Sequence, residues 1–212
     1  MNRYQWTLYA IFLICLAVSW INPLYPGEMF LQHAPTVLFL VLLPIVTPRV
    51  PLSNGAYTCL ILFWLLHVLG ARYTYSNVPY DNWTESLFGL NLTERFDLSR
   101  NHYDRLVHFS FGALWVLPVW EVCVKTFKVP RRFAIYTAFE FVLAYSMLYE
   151  LVEWLISLLL SPDAVESYNG QQGDMWDAHK DTLCAMLGAL FATLVLTVVE
   201  IRRGRSQPPG SR

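Results

Sequence analysis

Stretches of apolar residues long enough to cross a lipid bilayer recur along this chain, separated by short polar segments. Inside a bilayer the backbone N–H and C=O groups have no water to bind, so such stretches must form helices with internal hydrogen bonds. Charged residues make up only 15% of the 212 positions and hydrophobic residues make up 55%, whereas about a quarter of a soluble domain is charged. The sequence therefore predicts an all-α, polytopic membrane protein with one helical bundle.

We predict about six transmembrane helices, at residues 4–21, 29–47, 56–71, 104–124, 133–160 and 181–201. Pro35 and Pro44 fall inside the second span, which predicts a kink or a re-entrant path there. The connection at 72–103 is long and aromatic, and its segment DNWTESLFGL has apolar residues at helical spacing, which predicts a short interfacial helix. The segment 202–212, RRGRSQPPGSR, predicts a disordered basic cytoplasmic tail.

The distribution of basic residues favours an orientation with both termini in the cytoplasm, N-in and C-in. Ten of the fifteen Lys and Arg residues then lie on the inner side: Arg3, Arg49, Lys125, Lys128, Arg131, Arg132, Arg202, Arg203, Arg205 and Arg212. The net charge is −1, which gives no reason to expect a nucleic-acid partner. The four cysteines all fall inside predicted spans without paired spacing, which indicates packing rather than a disulfide framework.

Ionisable residues from several spans converge on the outer leaflet in this topology. Members of a pair lie three or four positions apart, so each pair shares one face of its helix. The pairs are Asp104 and His108, Glu150 and Glu153, and Asp177 and Asp181, with Asp174, His179 and Lys180 beside the last pair. Counting back from residue 160 along a helix places Glu153 about 10 Å and Glu150 about 15 Å below the outer end of its span.

A carboxylate at that depth is costly unless it is protonated, paired or bound to a cation. Three basic residues are candidate binding groups that could supply part of the compensation: Arg72, Arg105 and Lys180. A divalent metal would supply it more compactly, with Zn²⁺, Mn²⁺ or Fe²⁺ suited to mixed carboxylate and imidazole ligands and Mg²⁺ to an all-oxygen subset. The candidate metal ligands are Asp104, His108, Asp177, His179 and Asp181, and the candidate catalytic residues are Glu150 and Glu153.

Structural explanations compete with this interpretation. Asp174, Asp177 and His179 lie near a helix start, where polar residues often act only as caps, and a lone His67 on an apolar helix is more often hydrogen-bonded packing than a ligand. The last span also carries small residues at helical spacing, which predict close approach of a neighbouring helix. These are Ala185, Gly188, Ala189 and Ala192.

Three segments carry a family resemblance: YDRLVHFSFGAL, YELVEW and GDMWDAHKDTLCAMLGAL. They resemble the bacterial inner-membrane YjdF family and, more remotely, the VanZ-like proteins. The nearer resemblance implies an inner (plasma) membrane location and implies no reaction. The remote pattern has an amide where this chain has Glu153 and an Asn where it has Asp181. The chain is thus more acidic than that pattern, which favours cation binding and weakens any transfer of the VanZ role.

Three classes of function fit the residues. The first is a metal-assisted hydrolase or transferase that acts on a membrane lipid or a lipid-linked envelope precursor, with Glu150 or Glu153 as general base. The second is a proton or cation transporter component, in which Glu121 and Glu140 continue a path inward. The third is a non-catalytic membrane scaffold in which the acidic cluster only fixes helix packing. The sequence leaves the substrate, the metal and the oligomeric state open.

Overall fold

A computed structural model describes residues 1–159, 165 and 168–205, and the regular structure in these residues is helical throughout. Position 160, at the end of the fifth predicted span, and residues 206–212 of the predicted tail lie outside the described residues. We number the eight described helices in chain order. They are α1 (Arg3–Ser19), α2 (Pro26–Val46), α3 (Asn54–Arg72), α4 (Tyr80–Phe88), α5 (Leu92–Arg95), α6 (Tyr103–Lys125), α7 (Arg131–Ser157) and α8 (Asp177–Arg205).

Five of the described helices are long and apolar enough to cross a membrane: α2, α3, α6, α7 and α8. The remaining long helix, α1, is equally apolar in character but has only 17 residues. The predicted class, a polytopic all-α membrane protein, is confirmed. The predicted orientation with both termini in the cytoplasm stays a prediction.

Helix α2 is the most loosely attached of the long helices. It runs unbroken through Pro35 and Pro44, and Pro26 lies in its first turn, where a missing N–H costs no hydrogen bond. Among the described helices, its backbone comes close only to that of α3. A gap therefore remains between α2 and α7, although both helices face α3 and α6.

The closest helix pair is α6 with α8, and two glycines permit it. A Cβ atom added to Gly188 would lie 2.0 Å from the carbonyl oxygen of Phe109, and one added to Gly112 would lie 2.0 Å from that of Ala185. No side chain larger than hydrogen fits at either position. The small residues of the last span thus bring the two backbones into direct contact, as their spacing predicts.

The connection between α3 and α6 contains the two short helices α4 and α5. Asp81 joins them, because its carboxylate accepts hydrogen bonds from the backbone N–H groups of Leu92 and Thr93 at 2.9 and 3.0 Å and from the Thr93 hydroxyl at 2.6 Å. Leu87 and Phe88, near the end of α4, are 73% and 77% exposed. Such exposed apolar side chains suit a segment that lies against lipid headgroups.

Candidate functional site

Charged side chains at the adjoining N-terminal ends of α6 and α8 form a network that we call the outer ion-pair network, after the side on which the predicted orientation places it. Its members are Arg100, Arg105, Asp174, Asp177, Lys180 and Asp181. The two helices start at the same end of the bundle, so Arg105 in the first turn of α6 reaches the first turns of α8. Carboxylates in a first helical turn are also favoured by the helix dipole. Three cations and three carboxylates balance in this network.

Arg105 is the centre of the network. Its Nη2 lies 2.6 Å from Asp177 Oδ1 and 3.2 Å from Asp174 Oδ2, its Nη1 donates to the Asp177 backbone carbonyl at 3.1 Å, and its Nη1 also pairs with Asp181. Asp177 and Asp181 are both buried. A buried carboxylate needs such a partner, because leaving it unpaired would cost several kcal/mol.

Arg100 is a member of the network that the sequence did not indicate. It pairs with Asp177 and donates to the backbone carbonyls of Gly170 at 2.9 Å and Gln171 at 3.0 Å. It thereby fixes the segment before α8 against the segment before α6. Arg100 lies before the first residue of α6, so helical spacing in the sequence does not relate it to Asp177.

Below this network, Asp104, His108, Glu150 and Asp181 bring their side chains together, and we call these four residues the inner cluster. The Nε2 atom of His108 lies 3.6 Å from Asp104 Oδ1 and 3.6 Å from Glu150 Oε1. The four side chains are between 3% and 14% exposed. Three helices contribute to the inner cluster: α6, α7 and α8.

The acidic groups of the inner cluster outnumber its basic partners. Asp181 pairs with Arg105, whereas Asp104 and Glu150 find no Lys or Arg within ion-pair distance among the described residues and have only His108 beside them. The Oε1 atom of Glu150 is fully buried and has no hydrogen-bond partner in the described part of the chain. Each of these two largely buried carboxyl groups is therefore either protonated or matched by a cation from outside the chain, and a single divalent ion would match both charges.

The spacing of the inner cluster suits a metal ion. Ligand atoms from Asp104, His108 and Asp181 all lie within 4.8 Å of one another. Metal bonds of about 2.0–2.2 Å hold ligand atoms roughly 3–4 Å apart. The distance of 3.6 Å from His108 Nε2 to the carboxylates of Asp104 and Glu150 is too long for a hydrogen bond. It does fall within the spacing expected between two ligands of one metal ion. These residues could hold a divalent cation if their side chains moved closer together around it.

A cavity of about 520 Å³ opens beside the inner cluster, and we call it the outer pocket. Glu150, Glu153, Asp177 and His179 contribute its polar wall, and Trp154 is part of its apolar wall. Its size falls in the range of small-molecule sites. Glu150 therefore belongs to both the inner cluster and the outer pocket.

The structure separates the other predicted site residues from the inner cluster. Asp177 is engaged by Arg100 and Arg105, and Lys180 binds Asp174 at 2.7 Å. His179 is exposed and packs edge-on against Trp176 with the ring centroids 5.3 Å apart.

Two further residues that the sequence singles out, Arg72 and His67, lie on α3 and do not belong to the inner cluster. Arg72 donates to the backbone carbonyls of Ser19 and Ile21, at 2.7 and 2.8 Å, and so caps the C-terminal end of α1. His67 is hydrogen-bonded packing: its Nε2 pairs with the Gln32 backbone oxygen, 2.9 Å away, and its Nδ1 pairs with the Tyr75 hydroxyl.

Acid should weaken the outer ion-pair network through Asp174. The pKa of Asp174 lies below its usual value, first because Lys180 donates a hydrogen bond to it and second because the Trp176 backbone N–H does. A lowered folded-state pKa adds stability above the unfolded value of about 3.9, and that stability is lost as the pH falls through the folded pKa. We expect Asp174→Asn to lower the melting temperature at neutral pH, and we expect this difference from wild type to shrink as the pH falls below the unfolded value.

Melting temperatures of both proteins in detergent, measured between neutral pH and pH 3, test this expectation. The matched control is Asp97→Asn, at an exposed aspartate of the outer connection. A constant difference between wild type and Asp174→Asn at every pH would contradict the electrostatic role.

Comparisons with known proteins agree with a membrane assignment. The model of a family described as "Predicted membrane protein (DUF2238)" matches residues 4–202. The chain is 33% identical over 176 residues to "Inner membrane protein YjdF" of Escherichia coli (strain K12), which covers 82% of this chain and 80% of that relative. No solved structure matches the chain.

Proposed function

The chain belongs to the DUF2238 family of predicted membrane proteins, and we propose that its inner cluster and outer pocket form a metal-dependent hydrolase or transferase site. It is a multi-pass inner-membrane protein, like its relative. The substrate class we propose is a membrane lipid or a lipid-linked envelope precursor, because the pocket lies at the ends of membrane-spanning helices that the predicted orientation places at the outer leaflet. The convergence of Asp104, His108 and Asp181 within 4.8 Å is the observation that carries the proposal.

Each residue has a distinct role in this proposal. Asp104, His108 and Asp181 would hold a divalent cation, which would supply positive charge and Lewis acidity to a phosphate or ester group. Glu150 is the general base, since its Oε1 atom lies 3.6 Å from His108 and its side chain also lines the outer pocket. Glu153, one helical turn further out, lines the same pocket and positions the substrate.

The positive charge for an anionic substrate comes from the cation in this proposal. Arg100 and Arg105 are engaged by Asp177 and Asp181, so their charge is already compensated. Without a cation, the carboxylates of the outer pocket would repel a phosphate group.

The transporter alternative has less support from the geometry. Glu121, on the inner half of α6, is engaged by Lys125 at 2.9 Å and by the Ser53 backbone N–H at 2.7 Å, while Glu140 is exposed. The α6, α7 and α8 segments that separate these acids from the inner cluster pack as an apolar core around Val116, Ala138 and Val142. The described residues therefore provide no polar path across the bundle.

Turnover in proteoliposomes tests the proposal. Vesicles would contain phosphatidylethanolamine, phosphatidylglycerol and a polyprenyl diphosphate, and mass spectrometry would follow released head groups with Zn²⁺, Mn²⁺ or Mg²⁺ added. Glu150→Gln should lower the rate by about 10²-fold or more, as removal of a general base does. The matched control is Glu140→Gln, on the exposed inner half of the same helix.

Two results would reject the enzyme proposal. One is the absence of metal-dependent product from all three lipids, and the other is an unchanged rate in Glu150→Gln. A scaffold role predicts a different pattern, in which Glu150→Gln changes the melting temperature and nothing else.

A further inference from the structure

We propose that a second cavity, between α2 and α7, binds the acyl chain of a phospholipid from the outer leaflet, with the polar end of that lipid at the inner cluster. The cavity has a volume of about 560 Å³ and is lined by side chains of α2, α3, α6 and α7. We call it the aromatic cavity, because Phe63, Trp64, Phe111 and Trp115 form much of its wall. Its size is that of a small-molecule site.

The polarity of the aromatic cavity changes from one end to the other. On α6, its lining begins with Asp104 and His108 and continues one and two turns deeper with Phe111 and Trp115. Helix α7 repeats this order, because Tyr149 and Ser146 lie at the polar end and Phe141 lies deeper. A lipid of the outer leaflet has the same arrangement, with a polar head outside and hydrocarbon beneath it.

The length of the cavity also matches an acyl chain. From Asp104 to Trp115 the lining face of α6 spans eleven residues, which is about 16 Å at the helical rise. One leaflet contributes about 15 Å, half of the hydrocarbon core of a bilayer. An acyl chain that starts at the inner cluster would therefore end near Trp115.

The aromatic cavity opens sideways into the bilayer. The backbones of α2 and α7 do not approach each other in the described structure, and three residues of the lining remain exposed at its edge: Leu38, Leu42 and Tyr145 are 60%, 44% and 52% exposed. In a membrane, the molecules on the other side of this opening are lipids, so an acyl chain can enter without leaving the hydrocarbon.

The acyl chain binds through apolar contacts that do not involve the metal. The conclusion that this lipid is the substrate rests on the proposed function. Asp104 and His108 belong to the inner cluster and also line the polar end of the aromatic cavity. A phospholipid bound in this way would present its glycerol and phosphate groups to the inner cluster. The aromatic cavity would then select a phospholipid as the substrate.

Photo-cross-linking tests the inference. The probe is phosphatidylglycerol with a diazirine in the middle of one acyl chain, placed in phosphatidylglycerol and phosphatidylethanolamine vesicles with the full-length protein. Peptide mapping should find labels on Phe111 and Trp115, which are only partly exposed and face the cavity. Leu42→Trp and Ser146→Leu fill the cavity from opposite walls and should each lower this labelling by about fivefold, because the added atoms occupy the space of the chain.

The control variant is Ala144→Leu, on α7 two positions from Ser146, where the side chain is exposed. It should label like wild type. Labelling of Phe111 and Trp115 that persists in both filled variants would overturn the inference, and so would labels found only on exposed outer faces. Loss of labelling on addition of a polyprenyl phosphate would replace the phospholipid with that lipid and overturn the acyl assignment.

Asp181→Asn separates this inference from the proposed function, because Asp181 belongs to the inner cluster and does not line the aromatic cavity. We expect it to lose metal and to keep most of the labelling of Phe111 and Trp115, because the apolar walls that hold the acyl chain are unchanged. In the wild-type protein, cavity labelling without metal-dependent turnover would leave lipid binding standing and reject only the enzyme. Metal-dependent turnover without cavity labelling would reject only the acyl site.

Discussion

Protein purified in detergent should retain about one divalent cation per chain, and His108→Ala and Asp104→Asn should each lose it. His108 contributes the one imidazole of the inner cluster, and its side chain is only 10% exposed, so solvent cannot replace it without rearrangement. Removal of a direct ligand should weaken metal affinity by more than the roughly 10- to 100-fold seen when a supporting residue is lost. Inductively coupled plasma mass spectrometry of the three proteins measures the result.

The control for this measurement is His179→Ala. His179 lies only two residues from Asp181 along the chain, but it is exposed and packs on Trp176. It should therefore retain the wild-type metal content. Metal lost from His179→Ala but kept in His108→Ala would place the ion in the outer pocket instead. No metal in wild type, or undiminished metal in both ligand variants, would count against the metal centre.

Gly188→Ala should destabilise the bundle strongly, although it adds only one methyl group. Its Cβ atom would lie 2.0 Å from the Phe109 carbonyl oxygen and 2.9 Å from the Ala113 backbone nitrogen, so α6 and α8 would have to separate. Overpacking costs about 1–3 kcal/mol and sometimes more, and we expect the upper end because backbone atoms cannot rotate away. A loss of about 3 kcal/mol corresponds to a melting temperature lower by about 6–12 °C.

Thermal unfolding in detergent, followed by circular dichroism, checks this value. The matched control is Gly27→Ala, because a Cβ atom added to Gly27 in the first turn of α2 would meet nothing within 4 Å. Alanine there should leave the melting temperature unchanged or raise it slightly. Equal effects at the two glycines would show that α6 and α8 do not depend on backbone contact.

The helical class was predictable because the apolar stretches carry it directly, and the described helices begin and end within a few residues of most of the predicted spans. The largest difference is at α8, which starts at Asp177, whereas the predicted span starts at 181. Hydropathy excludes the charged turn DAHK from a membrane span. In the structure, Arg100 and Arg105 neutralise Asp177, so the helix can begin four residues earlier.

The candidate site was predictable in its composition but not in its division into two layers. Helical spacing shows that Asp104 and His108 share a face, and it also shows that Asp177 and Asp181 do. It cannot show which carboxylates receive the arginines, because that depends on contacts between residues 77 positions apart for Arg100 and Asp177. Arg72 shows the same limit. The sequence indicates its depth in the bundle, but it does not indicate that the side chain faces the end of α1 rather than the acids.

The pairing of Arg105 with α8 also sets an order of events during biosynthesis. Asp177 follows Arg105 by 72 residues, so a ribosome that adds about 5–20 residues per second needs roughly 4–14 s to supply the partner. Throughout that interval α6 carries a guanidinium at its N-terminal end without its aspartates. The guanidinium of α6 is therefore neutralised only when a helix made later, α8, has been synthesised.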